Sequence, residues 1–536
     1  MDPRTIDAPT LRARLIDGTE LALLDAREQG VFFRSHLFHA ACLPLSTLEL
    51  EIERLVPRRS APIVWCDGGQ GDTETGMAWR AARRSIELGY SDVAVLDGGT
   101  AAWARDGGEL YSGVNVPSKA FGEFVEHAYG TPRIPASELQ AMVDGGTDLV
   151  ILDSRPMDEF RRMSIPGGVD CPGAELVHRV KEMAPDPNTV VVVNCAGRTR
   201  SIIGSQSLIN AGLENRVVAL ENGTMGWELA GYEVARGHRE HAPDPSAESR
   251  AWSERAAASV GERFRVPTID ATQLAEWEAD DTRTTYVLDV RTPQEFRDGH
   301  LLGSRNAPGG QLVQATDEYV ATRNARLVLV DDNGVRATMT ASWLQQLGWS
   351  DAVVLDGGVQ AHDLATGPTP RVRVPSAPTI TVAALAERLA ADGPPTILDL
   401  GTSLKYRQKG HLPGAWWGVR SRLDEARAAM GDVAELVLTS SDGQLAKLAV
   451  DEAAALWPDA TVVALAGGTK SWRHADQEMA PPTFARPTTT ADDVWYKPYD
   501  HEDGVPEQHM QDYLTWEVAL VDQIERDPTV DFVHYP

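Results

Sequence analysis

Four short apolar runs along the chain each end on an aspartate. They read LALLD at 21–25, LVILD at 149–153, TYVLD at 285–289 and PTILD at 395–399. None alternates apolar with polar residues, which is the pattern of a strand buried on both faces. A second run follows each: PIVWC, VVVNC, LVLVD and LVLTS, ending on Cys66, Cys195, Asp331 and Ser440. That last residue stands 41 or 42 positions after the aspartate every time. A stretch of helical periodicity comes next, then a third run with a tight turn: VAVLDGG, VVALENG, AVVLDGG and VVALAGG. Four residues beyond the closing glycines (Gly99, Gly223, Gly358, Gly468) stand Trp103, Trp227, His362 and Trp472. Pro44, Pro172 and Pro308 keep one offset from the first three aspartates.

This is one module written four times. Its order is strand, loop, strand, helix, strand, helix, which predicts an α/β fold with a parallel sheet covered by helices on both faces. The repeats predict domains at 8–112, 134–240, 266–368 and 378–480, with a C-terminal extension at 481–536. The segment VPSKAFGEFVEH predicts a short linker helix capped by Ser118, with Lys119 reaching solvent. In the extension, Met510, Tyr513, Leu514, Val518, Val521 and Ile524 share one face of a predicted helix that docks on a domain.

In a parallel sheet, ligands bind beyond the C-terminal strand ends, where a loop enters a helix. The stretch VVVNCAGRTR at 191–200 is such a place. Ala196 and Gly197 are small enough for close backbone approach, and residues 196–200 can curl their amides around the Cys195 sulfur. Arg198 and Arg200 add cationic donors, and Thr199 and Ser201 add hydroxyls. Together they describe an activated thiolate in an anion-binding turn.

The sister loops differ. Copy three has Asp331 in place of the cysteine but keeps Arg336; copy four has Ser440, with Leu445 at the Arg200 position. Copy one keeps Cys66 in a loop six residues longer, bringing Asp67, Asp72 and Glu74 and no arginine until Arg80. Carboxylates there disfavour a thiolate. Asp153 and Arg155 recur as Asp25/Arg27 and Asp289/Arg291, including beside loops that lack a cysteine, which points to a scaffold role. Cys171 reads as a packing position, Cys42 carries no functional signal, and Glu175 with Arg179 reads as a surface pair.

LDSR, the strand-borne cysteine, the six-residue loop CAGRTR and LENGTMGW together resemble the rhodanese (thiosulfate sulfurtransferase) domain, here in four tandem copies. The resemblance implies a double displacement. Cys195 takes the outer sulfur of a small anionic donor such as thiosulfate or a persulfide, then yields it to cyanide, a thiol or a protein thiol. It implies no cofactor. Related cysteine-loop phosphatases place one more residue between cysteine and arginine, so the loop here is the short kind. A non-enzymatic sulfur-relay scaffold is the other alternative, suggested by three altered loops.

Charge and composition narrow the classes. The net charge is −28, from 50 basic and 78 acidic residues, which argues against a nucleic-acid partner. No apolar run approaches bilayer length, and the N-terminus lacks the apolar core of a secretory signal. The four cysteines (Cys42, Cys66, Cys171, Cys195) show no zinc-ligand spacing. A reducing cytoplasm and a soluble protein without membrane or metal are the expectation.

Overall fold

The computed structural model describes every residue except Met1, Asp72, Glu74, His362, Asp363 and Arg371, and the Ala361 side chain. The expectations for Asp72, Glu74 and His362 therefore lie outside the described residues. The chain forms four consecutive α/β units with one strand order. In the second unit, Arg133–Ile134 lies beside Val217–Leu220, then Val190–Asn194, Leu149–Asp153 and Val169–Asp170, all parallel. Units one, three and four repeat this order. The short first and third strands of each unit were not expected from the apolar runs. At two or three residues, they are too brief to show a pattern.

The four long runs are buried on both sides, as their lack of alternation predicts. In Val190–Asn194, Val191 and Val193 enter one apolar cluster while Val190 and Val192 enter another. Leu327 and Leu329 likewise face away from Val328 and Val330. Each sheet thus carries two cores, one under each layer of helices. Among the described residues, no helix is long and apolar enough to cross a membrane.

The units are tied together in pairs. Units two and three share a core in which Ile202, Ile203, Trp343 and Leu344 meet Phe121 and Val125 of the linker helix. Units one and four are joined by Arg420 donating to Glu49 at 2.7 Å and Ser421 donating to Glu28 at 2.8 Å. The strand Thr322–Arg323 of unit three also adds antiparallel to Leu21–Asp25 of unit one.

Two expectations about the connecting segments need correction. The linker helix runs Val116–Tyr129 with Asn115 at its N-cap, so Ser118 lies inside it, buried, rather than capping it. The C-terminal helix, Pro506–Ile524, docks through Met510, Leu514, Glu517 and Leu520, whereas Val518 is 49% exposed. The buried stripe is rotated because Glu517 takes a place the apolar pattern assigned to Val518.

Candidate active site

Cys195 follows the central strand Val190–Asn194, and the chain then turns through Arg198 into the helix Thr199–Asn210. The turn is held from below. The Cys195 carbonyl accepts from the Thr224 amide at 2.8 Å and its hydroxyl at 3.0 Å, and the Ala196 carbonyl accepts from the Met225 amide at 3.0 Å. The Asn194 side chain donates to Asp153 at 2.8 Å and to Thr224 at 3.2 Å. Gly223 makes this approach possible. Its φ is +54°, and a Cβ there would lie 2.4 Å from the Cys195 carbonyl oxygen.

Asp153 and Arg155 form a bidentate pair, Nε to Oδ1 at 2.8 Å and NH2 to Oδ2 at 2.7 Å, and NH2 also reaches the Met163 carbonyl at 2.6 Å. Arg27 and Arg291 repeat this geometry onto the carbonyls of Ser35 and Gly299. The pair fixes the strand end under the loop and presents no free donor on its doubly bonded NH2.

Cys195 is 2% exposed, and its sulfur sits 3.5 Å from Ser201 Oγ, which donates in turn to the Arg198 carbonyl at 2.8 Å. Among the described residues, the backbone amides of 196 to 201 donate to no protein acceptor. The sister loops show where such amides are directed. In unit three, Asp331 Oδ1 accepts from the Gly334 amide at 2.7 Å and Oδ2 from the Ala337 amide at 3.1 Å. Those amides stand at the Arg198 and Ser201 positions. In unit four, Ser440 Oγ accepts from the Ala446 amide at 3.2 Å, again at the Ser201 position. In unit one, Asp67 accepts from the amides of Gly69 at 2.7 Å and Ala78 at 2.9 Å. Three loops pair amides of this turn with an oxygen side chain; the second pairs none.

The loop arginines do not fulfil the expectation of free oxyanion donors. Arg198 donates to both oxygens of Glu123 at 2.7 Å, to Glu126 and, at 3.4 Å, to Asn222, so its guanidinium faces the linker helix. Arg200 is held by Glu159 at 2.8 Å and Gln311 at 3.2 Å. Burial opposes the charge on Glu159, but Arg200 overrides it and leaves the carboxyl well below its usual range. Both cations are matched because the burial of a guanidinium requires a paired carboxylate. Thr199 and Ser201 are buried, with the Thr199 hydroxyl donating to Glu517 at 3.3 Å.

Lys119, expected in solvent, is buried instead. Its Nζ lies 3.5 Å from Glu517 Oε1 and 5.9 Å from the Tyr513 ring centre. Burial lowers its ammonium pKa, and Glu517 pulls it partly back. Glu175 is also buried, bridging Arg179 at 2.7 Å and Arg336 of unit three at 2.9 Å, so it is an interface residue rather than a surface pair. Glu517, Glu123 and Glu159 were missed in the sequence. The available signal was a carboxylate interrupting the apolar stripe Met510–Leu514–Leu520.

The other thiols are set apart by their surroundings. Burial, then the Asp25 carboxylate, pushes the Cys66 thiol well above its ordinary value. Cys66 is also within 3.7 Å of Asp25 Oδ2. Burial does the same to Cys171 and Cys42.

Comparison with known proteins places this geometry in a family. The model of the rhodanese-like domain matches residues 7–106, 135–230 and 270–363. A crystal structure of a thiosulfate sulfurtransferase from Pseudomonas aeruginosa is 47% identical, covers 99% of this chain and 100% of that one, and superposes with a TM-score of 0.94. The thiosulfate sulfurtransferase GlpE of Pseudomonas aeruginosa is 34% identical over 76 residues, 14% of this chain and 66% of that protein. A sulfurtransferase of Allochromatium vinosum is 26% identical over 102 residues, 19% of this chain and 89% of its own length. The chain spans from about half to nine tenths of the curated relatives it matches. With three matched repeats over more than half its length, the chain belongs to the rhodanese-like domain family.

Proposed function

We propose that the protein is a sulfurtransferase that carries sulfane sulfur on Cys195. The single observation behind this is the amide ring of residues 196 to 201, which lacks a protein acceptor while each sister loop supplies one. A ring of inward amides stabilises negative charge, and a persulfide carries that charge on its outer sulfur.

In the first half-reaction the Cys195 thiolate attacks the outer sulfur of thiosulfate. The new S–S bond forms as the old one breaks, and its electron pair leaves with sulfite. In the second, an acceptor thiolate attacks the outer sulfur of the persulfide and Cys195 regains its electron pair as thiolate. Arg198 and Arg200 act by holding the loop through Glu123 and Glu159, and Asp153 with Arg155 supports the strand below it. Ala196, Gly197, Thr199 and Ser201 contribute backbone amides. The four free thiols suit a cytoplasmic setting, with a small anionic sulfur donor and a thiol or protein-thiol acceptor as partners.

The test is intact mass spectrometry after incubation with thiosulfate. A gain of about 32 Da, one sulfur atom, is expected on the peptide containing Cys195 and is removed by a thiol. No gain, or a gain confined to Cys66, overturns the reading.

A further inference from the structure

The C-terminal helix brings Glu517 onto the Cys195 loop in an arrangement the scheme above does not use. Glu517 is 0% exposed. Its Oε1 accepts from the Tyr513 hydroxyl at 3.1 Å and the Thr199 hydroxyl at 3.3 Å, with Lys119 Nζ at 3.5 Å. Its Oε2 is buried and has no hydrogen-bond partner among the described residues. That oxygen faces the loop, since a Cβ built on Gly197 would lie 2.9 Å from it. An unpaired buried carboxylate oxygen costs about 1–3 kcal/mol, so its retention calls for a use. The Tyr513, Thr199 and Lys119 donors are all directed at the other oxygen.

We propose that Glu517 is the general base that takes the proton from an acceptor thiol. This rests on the sulfurtransferase reading and assigns the second half-reaction to thiol acceptors. The acceptor S–H gives its proton to Glu517 Oε2, and the resulting thiolate attacks the outer persulfide sulfur. The Cys195–S bond breaks, its electron pair returns to Cys195, and a new persulfide leaves on the acceptor. Lys119 and Tyr513, which hold Oε1, also feel the charge of Cys195, so the base and the reacting sulfur share one environment. Glu123 from the linker helix and Arg198 from the loop are the other charged groups facing Glu517. A cavity of about 600 Å³ lined by Phe33, Trp495, Trp516 and Tyr513, the same tyrosine that holds Glu517, has room for the body of an acceptor.

The experiment uses the full chain charged with thiosulfate, in wild type, Glu517→Gln and Glu517→Asp. Persulfide formation is read by mass, and transfer is then timed to two thiols. One, 2-mercaptoethanol, is protonated at neutral pH; the other, thionitrobenzoate, is already ionised. Removing a general base slows a proton-dependent step by about 100-fold or more. Glu517→Gln is expected to show that loss with 2-mercaptoethanol and less than about 3-fold with thionitrobenzoate, with Glu517→Asp partly restored. Equal losses with the two thiols, no loss with 2-mercaptoethanol, or failure of the variant to form the persulfide overturns the assignment. A wild-type protein that takes up no sulfur overturns the sulfurtransferase reading as well, so the two failures are distinguishable.

Discussion

Units two and three place the same turn at the same strand end and put opposite things in it. In unit three the Asp331 carboxyl is built into the ring, accepting amides at 2.7 and 3.1 Å. Burial raises its pKa, and Arg336 and the two amides pull it back. In unit two a thiol, Cys195, stands at that position, and the amides of residues 196 to 201 have no protein acceptor among the described residues. The difference shows what the turn accommodates. Its amides pair with an oxygen side chain in the sister units, and in unit two Cys195 stands at that strand end with those amides unpaired.

The largest effect comes from erasing the difference. Cys195→Asp gives unit two the unit-three residue, and sulfur transfer should fall by at least about 1,000-fold, since no nucleophile remains. Cys66→Ser should retain transfer within about 2-fold, because that thiol is held neutral by burial and Asp25. Steady-state transfer from thiosulfate measures both. Equal losses in the two variants would show that the loops are not distinguished by their fillings.

What was readable in the sequence follows from the same repeat. The aspartate at each strand end and the loop positions are fixed by short-range spacing, so LVILD and VVVNC locate the strands and Cys195 directly. The roles of Arg198 and Arg200 were not readable, because their partners Glu123 and Glu159 lie 75 and 41 residues away. Glu517 is 318 residues from Thr199, and only its break in an apolar helix face marked it. A basic residue near an anion-binding loop suggests a ligand contact; tertiary packing turned these two into braces.

A second test strikes the feature the two units share. Gly223 and Gly358 both have positive φ, +54° and +50°, with Cβ positions 2.4 and 2.1 Å from the carbonyls of Cys195 and Asp331. Gly223→Ala should destabilise the protein by at least about 2 kcal/mol and lower transfer, from left-handed strain plus displacement of the loop carbonyl. Gly358→Ala should destabilise by a similar amount and leave transfer nearly intact. Denaturant unfolding alongside the transfer assay separates them. Equal loss of transfer would mean that the two loops are mechanically coupled.

Removing the built-in filling is milder. Asp331→Ala leaves the Gly334 and Ala337 amides unpaired and should cost about 1–3 kcal/mol. Added sulfate or thiosulfate should recover part of that stability, because an external anion can take the vacated place. A variant whose unfolding midpoint ignores these anions would show that the ring does not bind them, and would weaken the reading of unit two with it.

The smallest effect lies beside the ring, where Asp170 of unit two stands at the position of Asn306 in unit three. Asn306 donates to the Arg291 carbonyl at 3.0 Å, whereas Asp170 Oδ1 is buried without a partner. Burial, then the charge on Asp153, raises the Asp170 pKa to about 7. The folded state therefore keeps this proton after the unfolded chain, near its ordinary value of 3.8, has released it. Stability from this group is present at low pH, is lost as pH rises between those two values, and stays lost above about 7. Asp170→Asn substitutes the unit-three residue and removes the titration. Its unfolding midpoint should fall less than that of wild type between about pH 5 and about pH 8, with transfer little changed. Midpoints that fall in parallel would place the titrating group elsewhere. Glu28 and Asp317, each raised to about 7 chiefly by burial, would then be the groups to substitute next.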